Sequence, residues 1–372
     1  AFIFFGGITG TKRADDANVI LDGQSPGDNF GFSVASAGDF NGDGKDDVIV
    51  GAFNDDSTHG SSNNPGSAFI FFGGITGTKR ADADANVTLT CFDYPVGSIL
   101  CNAGGFGISV ASAGDFNGDG KGDVIVGTKR YYGAYIFFGS VTTGTRTVTT
   151  DADVSFCQNN GNCYNTDSSS GLIGFSVASA GDFNGDGKGD VIIGAPEDDN
   201  NSLNNSGSAF IFYGGITGTK NSADTDADVI LDGQSTNDQF GRRVGAGDFN
   251  GDGVSDVIVT TVNNDESYVF FSSSVFPSIT FSDSTSSQSE DITEVTIPVT
   301  LSQTSSSTVT VDFAVTSTAT GGGVDFTLAS GTLTFSAGTT TQNISFTIVD
   351  DLEVENTETI TVTLSSPTSS IF

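Results

Sequence analysis

The sequence GDFNGDG occurs four times in the chain, at residues 38–44, 114–120, 181–187 and 247–253. Each copy follows a segment of the type FGFSVASAG and precedes a segment of the type DVIVGA. An aromatic segment of the type AFIFFGG comes next, and in three copies a fourth short apolar segment follows it. Successive copies lie 66 to 76 residues apart, so one structural unit is repeated along most of the chain.

The repeated segments are short, rich in Val, Ile and Phe, and bounded by Gly, Asn or Asp, which is typical of β-strands. No capped segment with a 3.6-residue apolar period occurs, so we expect little helix. Four strands per unit are typical of a propeller blade. A stack of β-sandwiches is the weaker alternative, because one four-stranded unit could not bury both of its faces. The sequence therefore predicts an all-β fold with a β-propeller of at least four repeats.

The composition is strongly acidic, with 46 Asp and Glu against 13 Lys and Arg and a net charge of −33 over 372 residues. This charge excludes a nucleic-acid binder, which needs clustered cations, and argues against docking on anionic lipid. The 31 Phe residues supply core material, and bound cations are one way for a fold to tolerate the acids. No apolar run is long enough to span a membrane. Because the chain lacks Met and starts at Ala1, we expect a processed product or a fragment.

Acidic and amide side chains alternate within each GDFNGDG loop and continue to an Asp at the ninth position. This alternation in a tight Gly-containing turn points oxygens at one centre, and a backbone carbonyl at the seventh position adds another. An all-oxygen set with several carboxylates favours Ca²⁺, whereas an EF-hand would carry Glu at the twelfth position. The predicted ligands are Asp39, Asn41, Asp43, Lys45 and Asp47; Asp115, Asn117, Asp119, Lys121 and Asp123; Asp182, Asn184, Asp186, Lys188 and Asp190; and Asp248, Asn250, Asp252, Val254 and Asp256.

The repeated units resemble FG-GAP repeats, the blades of the β-propeller in integrin α chains and in related bacterial secreted proteins. The FG pair is present at residues 30–31, 106–107 and 240–241, and the GAP triplet at residues 194–196. The resemblance covers about residues 1–272. It implies that the four loops bind structural Ca²⁺ on one face of the ring.

The number of repeats departs from the family pattern, in which a ring usually holds about seven blades. Residues 1–23 match only the end of a repeat. In integrin-like rings the N-terminal strand completes the last blade, so we expect residues 18–22 to pair with the fourth repeat, which lacks its own fourth strand. Residues 1–7 would then be a surplus strand. Either upstream repeats are missing or the ring is a small one.

The composition changes at residues 272–277, so we expect a propeller domain over residues 1–273 and a second domain over residues 274–372. Alternating Ser/Thr and Val in the second part predict a β-sandwich. Residues 324–367 resemble a Calx-β domain, a Ca²⁺-binding sandwich, although we expect its last strand to be absent. The acids that match a second metal site are Glu290, Asp325, Asp350, Asp351, Glu355 and Glu358.

The four cysteines form two pairs that are close in sequence, Cys91 with Cys101 and Cys157 with Cys163. The absence of a CxxC spacing argues against zinc, and local disulfides are favoured, although four cysteines allow three pairings. Four free buried thiols are the alternative. Disulfides indicate an oxidising compartment and hence secretion.

No motif of an enzyme is present, since the chain lacks GxSxG, HExxH and a phosphate-binding Gly loop, and we expect no catalytic activity. The favoured function is a secreted or cell-surface structural or adhesive protein that Ca²⁺ stabilises. We hypothesise a fibre subunit that is joined head to tail to other copies through its terminal strands. The alternative is a module of a larger extracellular protein that binds a glycan or protein ligand.

Overall fold

A computed structural model describes most of the chain. The described residues are 1–56, 65–91, 105–129, 133–157, 171–200, 202–220, 223–263, 266–272, 277–288, 294–305, 308–321, 325–350 and 357–367. They form two compact units, which divide between Ser273 and Ser274.

The first unit consists of strands, with three helical segments of three or four residues among its described residues. The short helices are a 3₁₀ turn (Ala14–Asp16), α1 (Ala81–Asp84) and α2 (Ala223–Asp226). Before the first repeat lie β1 (Phe2–Ile3) and β2 (Val19–Asp22). Repeat 1 contains β3 (Ser33–Gly38), β4 (Asp47–Ala52), β5 (Ser67–Phe71), β6 (Gly77–Arg80) and β7 (Val87–Thr90). Repeat 2 contains β8 (Ser109–Gly114), β9 (Asp123–Gly127), β10 (Ala134–Phe137), β11 (Gly144–Thr147) and β12 (Val154–Phe156). Repeat 3 contains β13 (Ser176–Gly181), β14 (Asp190–Ala195), β15 (Ser208–Phe212), β16 (Gly218–Lys220) and β17 (Val229–Asp232), and repeat 4 contains β18 (Arg243–Gly247), β19 (Asp256–Thr260) and β20 (Ser267–Phe270).

Each of repeats 1 to 3 builds a four-stranded antiparallel meander, in the order β3-β4-β5-β7 for repeat 1. This arrangement confirms the all-β prediction and the four strands per unit. The sheets of repeats 1 and 2 also contain a fifth, parallel strand that comes from the following repeat, β11 beside β7 and β16 beside β12. In the same way β6 pairs in parallel with β2, ahead of repeat 1. Each of these three strands therefore links its own repeat to the sheet before it.

The apolar cores of the first unit lie between consecutive sheets. Ile49 and Ile70 of repeat 1 are fully buried together with Val124 and Phe137 of repeat 2. Similar clusters join the first sheet to repeat 1, repeat 2 to repeat 3, and repeat 3 to repeat 4. The strands of the type DVIVGA in repeats 1 to 3, β4, β9 and β14, are largely buried on both faces because each is covered by a sheet on either side.

The close approach of neighbouring sheets explains why one position of the repeat is glycine in repeats 1 to 3. A Cβ atom on Gly127 would lie 1.9 Å from the carbonyl oxygen of Gly174 in the next repeat, and one on Gly51 would lie 2.1 Å from that of Gly107. Only a residue without a side chain allows the sheets to approach this closely. At the corresponding position repeat 4 carries Thr260, at the end of β19.

The expected pairing of residues 18–22 with the fourth repeat is wrong in this structure. Strand β2 pairs instead with β1 on one side and with β6 on the other. The sheet of repeat 4 contains β18, β19 and β20 among the described residues. The reason is that β1 precedes β2 by fewer than 20 residues and that β6 comes from repeat 1, the repeat that follows β2. Strand β1 is therefore not surplus, since Phe2 and Ile3 pair with Ile20 and Val19.

The second unit is a sandwich of two three-stranded sheets. Its strands are β21 (Ile279–Phe281), β22 (Val295–Leu301), β23 (Val309–Ser317), β24 (Gly331–Phe335), β25 (Thr341–Phe346) and β26 (Ile360–Ser365), in the orders β21-β22-β25 and β24-β23-β26. Val299, Val309, Val311 and Phe335 are fully buried in its core. The structure confirms the predicted sandwich, and the absence of a last strand stays a prediction because residues 368–372 lie outside the described residues.

Candidate metal centres

The four predicted loops occupy one position in the repeat, between its first and second strands. The first loop joins β3 to β4, and the others join β8 to β9, β13 to β14 and β18 to β19. Gly42 and Gly44 of the first loop have φ angles of 76° and 84°. This left-handed backbone is readily adopted by glycine and reverses the chain within a few residues.

The turn brings two predicted ligands of the first loop to one point. The backbone N–H of Asp43 donates to Asp39 Oδ1 and to Asn41 Oδ1, each at 2.8 Å. The backbone N–H of Gly44 donates to Asp39 Oδ2 at 2.8 Å. The oxygens of Asp39 and Asn41 thus converge on the inside of the turn.

The second and fourth loops repeat this geometry. The N–H of Asp119 donates to Asp115 Oδ1 and Asn117 Oδ1, both at 2.8 Å. In the fourth loop Asp248 Oδ1 and Asn250 Oδ1 accept from a single N–H, that of Asp252, at 3.0 and 2.8 Å. The convergence therefore belongs to the loop sequence rather than to one place in the array.

The Asp at the ninth position has a role that sequence reasoning missed. Asp47, Asp123, Asp190 and Asp256 are fully buried. Asp123 Oδ2 accepts from the N–H groups of Phe116 and Asn117 at 2.8 and 3.1 Å, and its Oδ1 accepts from Gly139 at 2.7 Å. This side chain therefore clamps the loop to the end of the third strand. An Asp followed by an apolar strand in every copy was the available signal.

Burial makes this anchoring carboxylate sensitive to nearby charge. Burial raises the pKa of Asp123 to about 6, although the three backbone N–H groups act in the opposite direction. Burial likewise raises the pKa of Asp47. A cation bound in the loop would favour the ionised form of both side chains.

The side chains of two loop lysines form ion pairs with loop carboxylates. Lys45 was predicted to contribute its backbone carbonyl, and its Nζ lies 3.6 Å from Asp43 Oδ2. The hydrogen bond from Asn41 and then the charge of Lys45 lower the pKa of Asp43. Lys121 Nζ lies 3.5 Å from Asp119 Oδ2 in the second loop. Two loops therefore carry a partial counter-charge of their own.

The donor chemistry fits a hard cation, because each loop offers carboxylate, amide and carbonyl oxygens and no nitrogen or sulfur ligand. Within the part of the chain that the structure describes, no three Asp, Glu, His or Cys side chains converge into a metal cluster. The backbone accounts for this, since it holds Asp47 by the N–H groups of Asn41 and Gly73 at 3.2 and 2.7 Å. The loop oxygens that converge are those of one carboxylate and one amide, Asp39 and Asn41.

The predicted second site lies partly outside the described residues, which exclude Glu290, Asp351 and Glu355. Asp325 and Glu358 line one cavity of the sandwich together with Phe326 and Phe346. The N–H of Thr320 donates to Asp325 Oδ2. Asp350 is not among the residues that line this cavity. Metal binding in the second unit stays a prediction.

The cysteines at the ends of outer strands are oxidised. Cys91 follows β7 and Cys157 follows β12; both are buried and disulfide-bonded. Cys101 and Cys163 lie outside the described residues, so the pairing stays a prediction.

Among the described residues no helix has the length and apolar character needed to cross a membrane.

Comparisons with known proteins match two families to different parts of the chain, one in each compact unit. The FG-GAP repeat model matches residues 30–71, 106–148, 174–212 and 240–270, and the Calx-beta domain model matches residues 275–370. Integrin alpha pat-2 of Caenorhabditis briggsae is 27% identical over 241 residues, 62% of this chain and 18% of that protein. Integrin alpha-PS2 of Drosophila melanogaster is 32% identical over 139 residues, 35% of this chain and 9% of that protein. The chain thus spans less than a fifth of the length of these relatives.

Proposed function

Because the chain contains four FG-GAP repeats followed by a Calx-beta domain, we propose that it is an extracellular adhesive or ligand-binding module whose four repeat loops hold Ca²⁺. The similarity to integrin α chains supports the extracellular setting. The oxidised state of Cys91 and Cys157 agrees with it, since disulfides persist in oxidising compartments. No reaction is proposed, because neither repeat family is enzymatic.

One observation carries the calcium proposal: the oxygens of Asp39 and Asn41 converge on a single N–H, and two further loops repeat this arrangement. A cation in the turn would take the place of that N–H as the positive partner and would add the Asp43 carboxylate and the Lys45 carbonyl as ligands. Ca²⁺ would also relieve repulsion in a chain with a net charge of −33. Extracellular sites of this kind have dissociation constants of roughly 10⁻⁴–10⁻³ M, so each contributes about 0.4–1.4 kcal/mol at millimolar Ca²⁺.

The calcium proposal is tested by thermal unfolding in millimolar Ca²⁺ and in EGTA, together with calorimetric Ca²⁺ titration. We expect a melting temperature several degrees higher in Ca²⁺. Asp43→Ala should lower the Ca²⁺ stoichiometry by one. Asp46→Ala is the matched control, because Asp46 is an exposed acid of the same loop whose position is Gly122 and Gly189 in the next two loops. An unchanged melting temperature in EGTA would contradict the proposal.

The adhesive role is tested separately with beads coated with the chain. We expect Ca²⁺-dependent adhesion to an extracellular-matrix protein surface or to an immobilised glycan. Which surface retains the beads distinguishes a protein ligand from a glycan ligand. Beads that bind neither surface in Ca²⁺ would contradict an adhesive or ligand-binding module while leaving the calcium sites untouched.

A fibre joined by donation of residues 1–7 to a neighbouring sandwich stays a prediction with a specific cost. Strand β1 pairs with β2, and the Ala1 amino group donates to the Leu21 carbonyl at 2.7 Å. Donation would require the chain to give up these contacts first.

A further inference from the structure

Three strands of the first unit extend the sheet of the preceding repeat, and we call β6, β11 and β16 the linking strands. Each pairs in parallel with an outer strand: β6 with β2, β11 with β7 and β16 with β12. The first residue of each linking strand is a glycine. Its N–H donates to the carbonyl oxygen of the residue just before the outer strand, at 3.1, 2.9 and 2.9 Å. The docking geometry is therefore the same in all three cases.

The chain contains a fourth copy of the linking sequence that is not docked. Residues 8–13 read ITGTKR, the same as residues 75–80, which include β6. Residues 10–13 are irregular, and residues 5–16 are exposed throughout. Ile8 is 50% exposed, whereas Ile75 is half-buried against the core of the first sheet and repeat 1. The segment thus has the sequence of a linking strand and lacks an outer strand to pair with among the described residues.

The chain also contains an outer strand that lacks a linking strand. Residues 229–235 read VILDGQS, the same as residues 19–25, which include β2. Strand β17 pairs with β15 and ends its sheet among the described residues. Leu21 of β2 is 1% exposed, whereas Leu231 is half-buried and Ile230 is 41% exposed. An exposed strand edge is a template for a further strand.

We propose that residues 10–13 of one copy of this chain pair with β17 of a second copy, in the register of β6 on β2. In that register Gly10 lies opposite Val229, and Arg13 lies opposite Asp232, as Arg80 lies opposite Asp22. The partner is a second copy because both sequences of the intramolecular pair recur unchanged at these two places. The charges are complementary, since Lys12 and Arg13 would lie beside β17, which contains Asp232 and no basic residue.

Docking of this segment also completes the sheet of repeat 4. In repeat 1 the linking strand and the outer strand form one continuous segment, from Gly77 to Thr90, that spans two sheets. Residues 10–22 of the second copy therefore bring its β2 beside β20, and β2 then gives up its contacts with β1, including the hydrogen bond from the Ala1 amino group to the Leu21 carbonyl, for those with β20. Repeat 1 of that copy then covers Val269 and Phe271, which are 39% and 61% exposed. Such head-to-tail contacts continue from copy to copy.

Two proline substitutions test the two partners of this pairing separately: residues 10–13, the donor segment, and β17, the acceptor strand. The N–H of Gly77 donates to the carbonyl oxygen of Asn18, and alternate residues of a parallel strand face its partner, so in the same register the N–H of Lys12 is expected to face β17. Lys12→Pro removes this backbone N–H, and Lys12→Ala is the control that retains it. By the same alternation the N–H of Ile230 faces outward, where a proline is tolerated at a sheet edge. Ile230→Pro therefore removes the N–H with which β17 would bind the donor segment, and it leaves the pairing of β17 with β15 intact.

Sedimentation equilibrium of the full chain in Ca²⁺ and physiological salt tests the proposal. We expect the wild type and Lys12→Ala to form species of two chains or more as concentration rises, and each proline variant alone to have the mass of one chain. An equimolar mixture of the two proline variants should form a dimer and nothing larger, because it retains one intact donor and one intact acceptor. This dimer also shows that both variants are folded.

Three results would overturn the proposal. The first is a wild-type chain that stays monomeric up to millimolar concentration. The second is a proline variant that assembles like the wild type. The third is a mixture of the two variants that remains monomeric although both unfold at the wild-type melting temperature.

Discussion

Repeats 2 and 4 contain equivalent strands in different surroundings. In repeat 2 Ile136 and Phe137 of β10 are fully buried, because repeat 1 lies on one side and repeat 3 on the other. At the corresponding positions of β20, Val269 is 39% exposed and Phe270 is half-buried. The strands form in both repeats, so their formation depends on the repeat itself. Their burial depends on the neighbouring sheet, as in other arrays of stacked units.

The loops of the same two repeats differ far less. Asp123 and Asp256 are both fully buried. Asp123 Oδ1 accepts the N–H of Gly139 at 2.7 Å, and Asp256 Oδ1 accepts that of Ser272 at 2.9 Å. The loop anchor therefore survives where the array ends, whereas the core does not. The geometry of the candidate metal loop is thus set within one repeat, and apolar stabilisation is shared between two.

The largest expected difference concerns the aromatic strand. Phe137→Ala should lower the free energy of unfolding by about 3–5 kcal/mol, because it leaves a cavity between two sheets. Phe270→Ala should cost less than half of that, since its site is already open to water on one side. Urea unfolding of both variants measures the difference. Equal losses would show that repeat 4 is covered in solution by something that this structure does not contain.

A second difference concerns the glycine that faces the next repeat. Gly127→Ala should destabilise the chain by about 3 kcal/mol, because the new Cβ would lie 1.9 Å from the carbonyl oxygen of Gly174. Thr260→Gly, the reverse change in repeat 4, should cost only about 0.5–1 kcal/mol through backbone entropy. Chemical denaturation compares the two. A harmless Gly127→Ala would mean that the sheets do not approach each other as described.

The smallest difference concerns the linking strand, which repeat 2 has and repeat 4 lacks among the described residues. Arg146 of β11 donates to the carbonyl oxygens of Phe138 and Asp151 at 2.8 and 2.9 Å, and to Asp153 Oδ2 at 2.9 Å. Arg146→Ala should cost about 1–3 kcal/mol, the value of hydrogen bonds from a charged donor. Arg146→Lys should recover only part of this loss, because one ammonium cannot reach all three acceptors. Thermal unfolding of both variants provides the measurement, and full recovery by Lys would contradict the role of the guanidinium group.

Sequence reasoning predicted the apolar strands well and missed the linking strands. Strands such as β4 and β9 have Val or Ile at three consecutive positions, which is typical of a strand that is buried on both faces. Gly77–Arg80 has a Gly, a Thr and two basic residues, and of these only the Thr favours a strand. It becomes β6 because β2 offers an open edge in parallel orientation. Residues 8–13 have the same sequence as residues 75–80 but are irregular. The neighbouring strand therefore decides whether this sequence forms a strand.

The candidate metal loops were predictable for a different reason. The alternation of Asp39 and Asn41 determines where their oxygens point, since the turn between them is tight and contains glycine. The role of Asp47 was not predictable, because the N–H of Gly73 that it accepts comes from a residue 26 positions further along the chain. Only the folded sheet brings these two groups together.

The sequence by itself determined the repeat, the all-β fold, the position of the four acidic loops and the change of composition after the fourth repeat. These features depend on local periodicity, turn chemistry and composition, which act over a few residues. The tertiary structure decided which edges pair, that β2 joins β1 and β6 rather than the fourth repeat, and which equivalent side chains are buried. The physical reason is that strand edges and apolar faces are satisfied by whichever neighbour lies within reach. Identical sequences such as residues 19–25 and 229–235 therefore reach different degrees of burial in one chain.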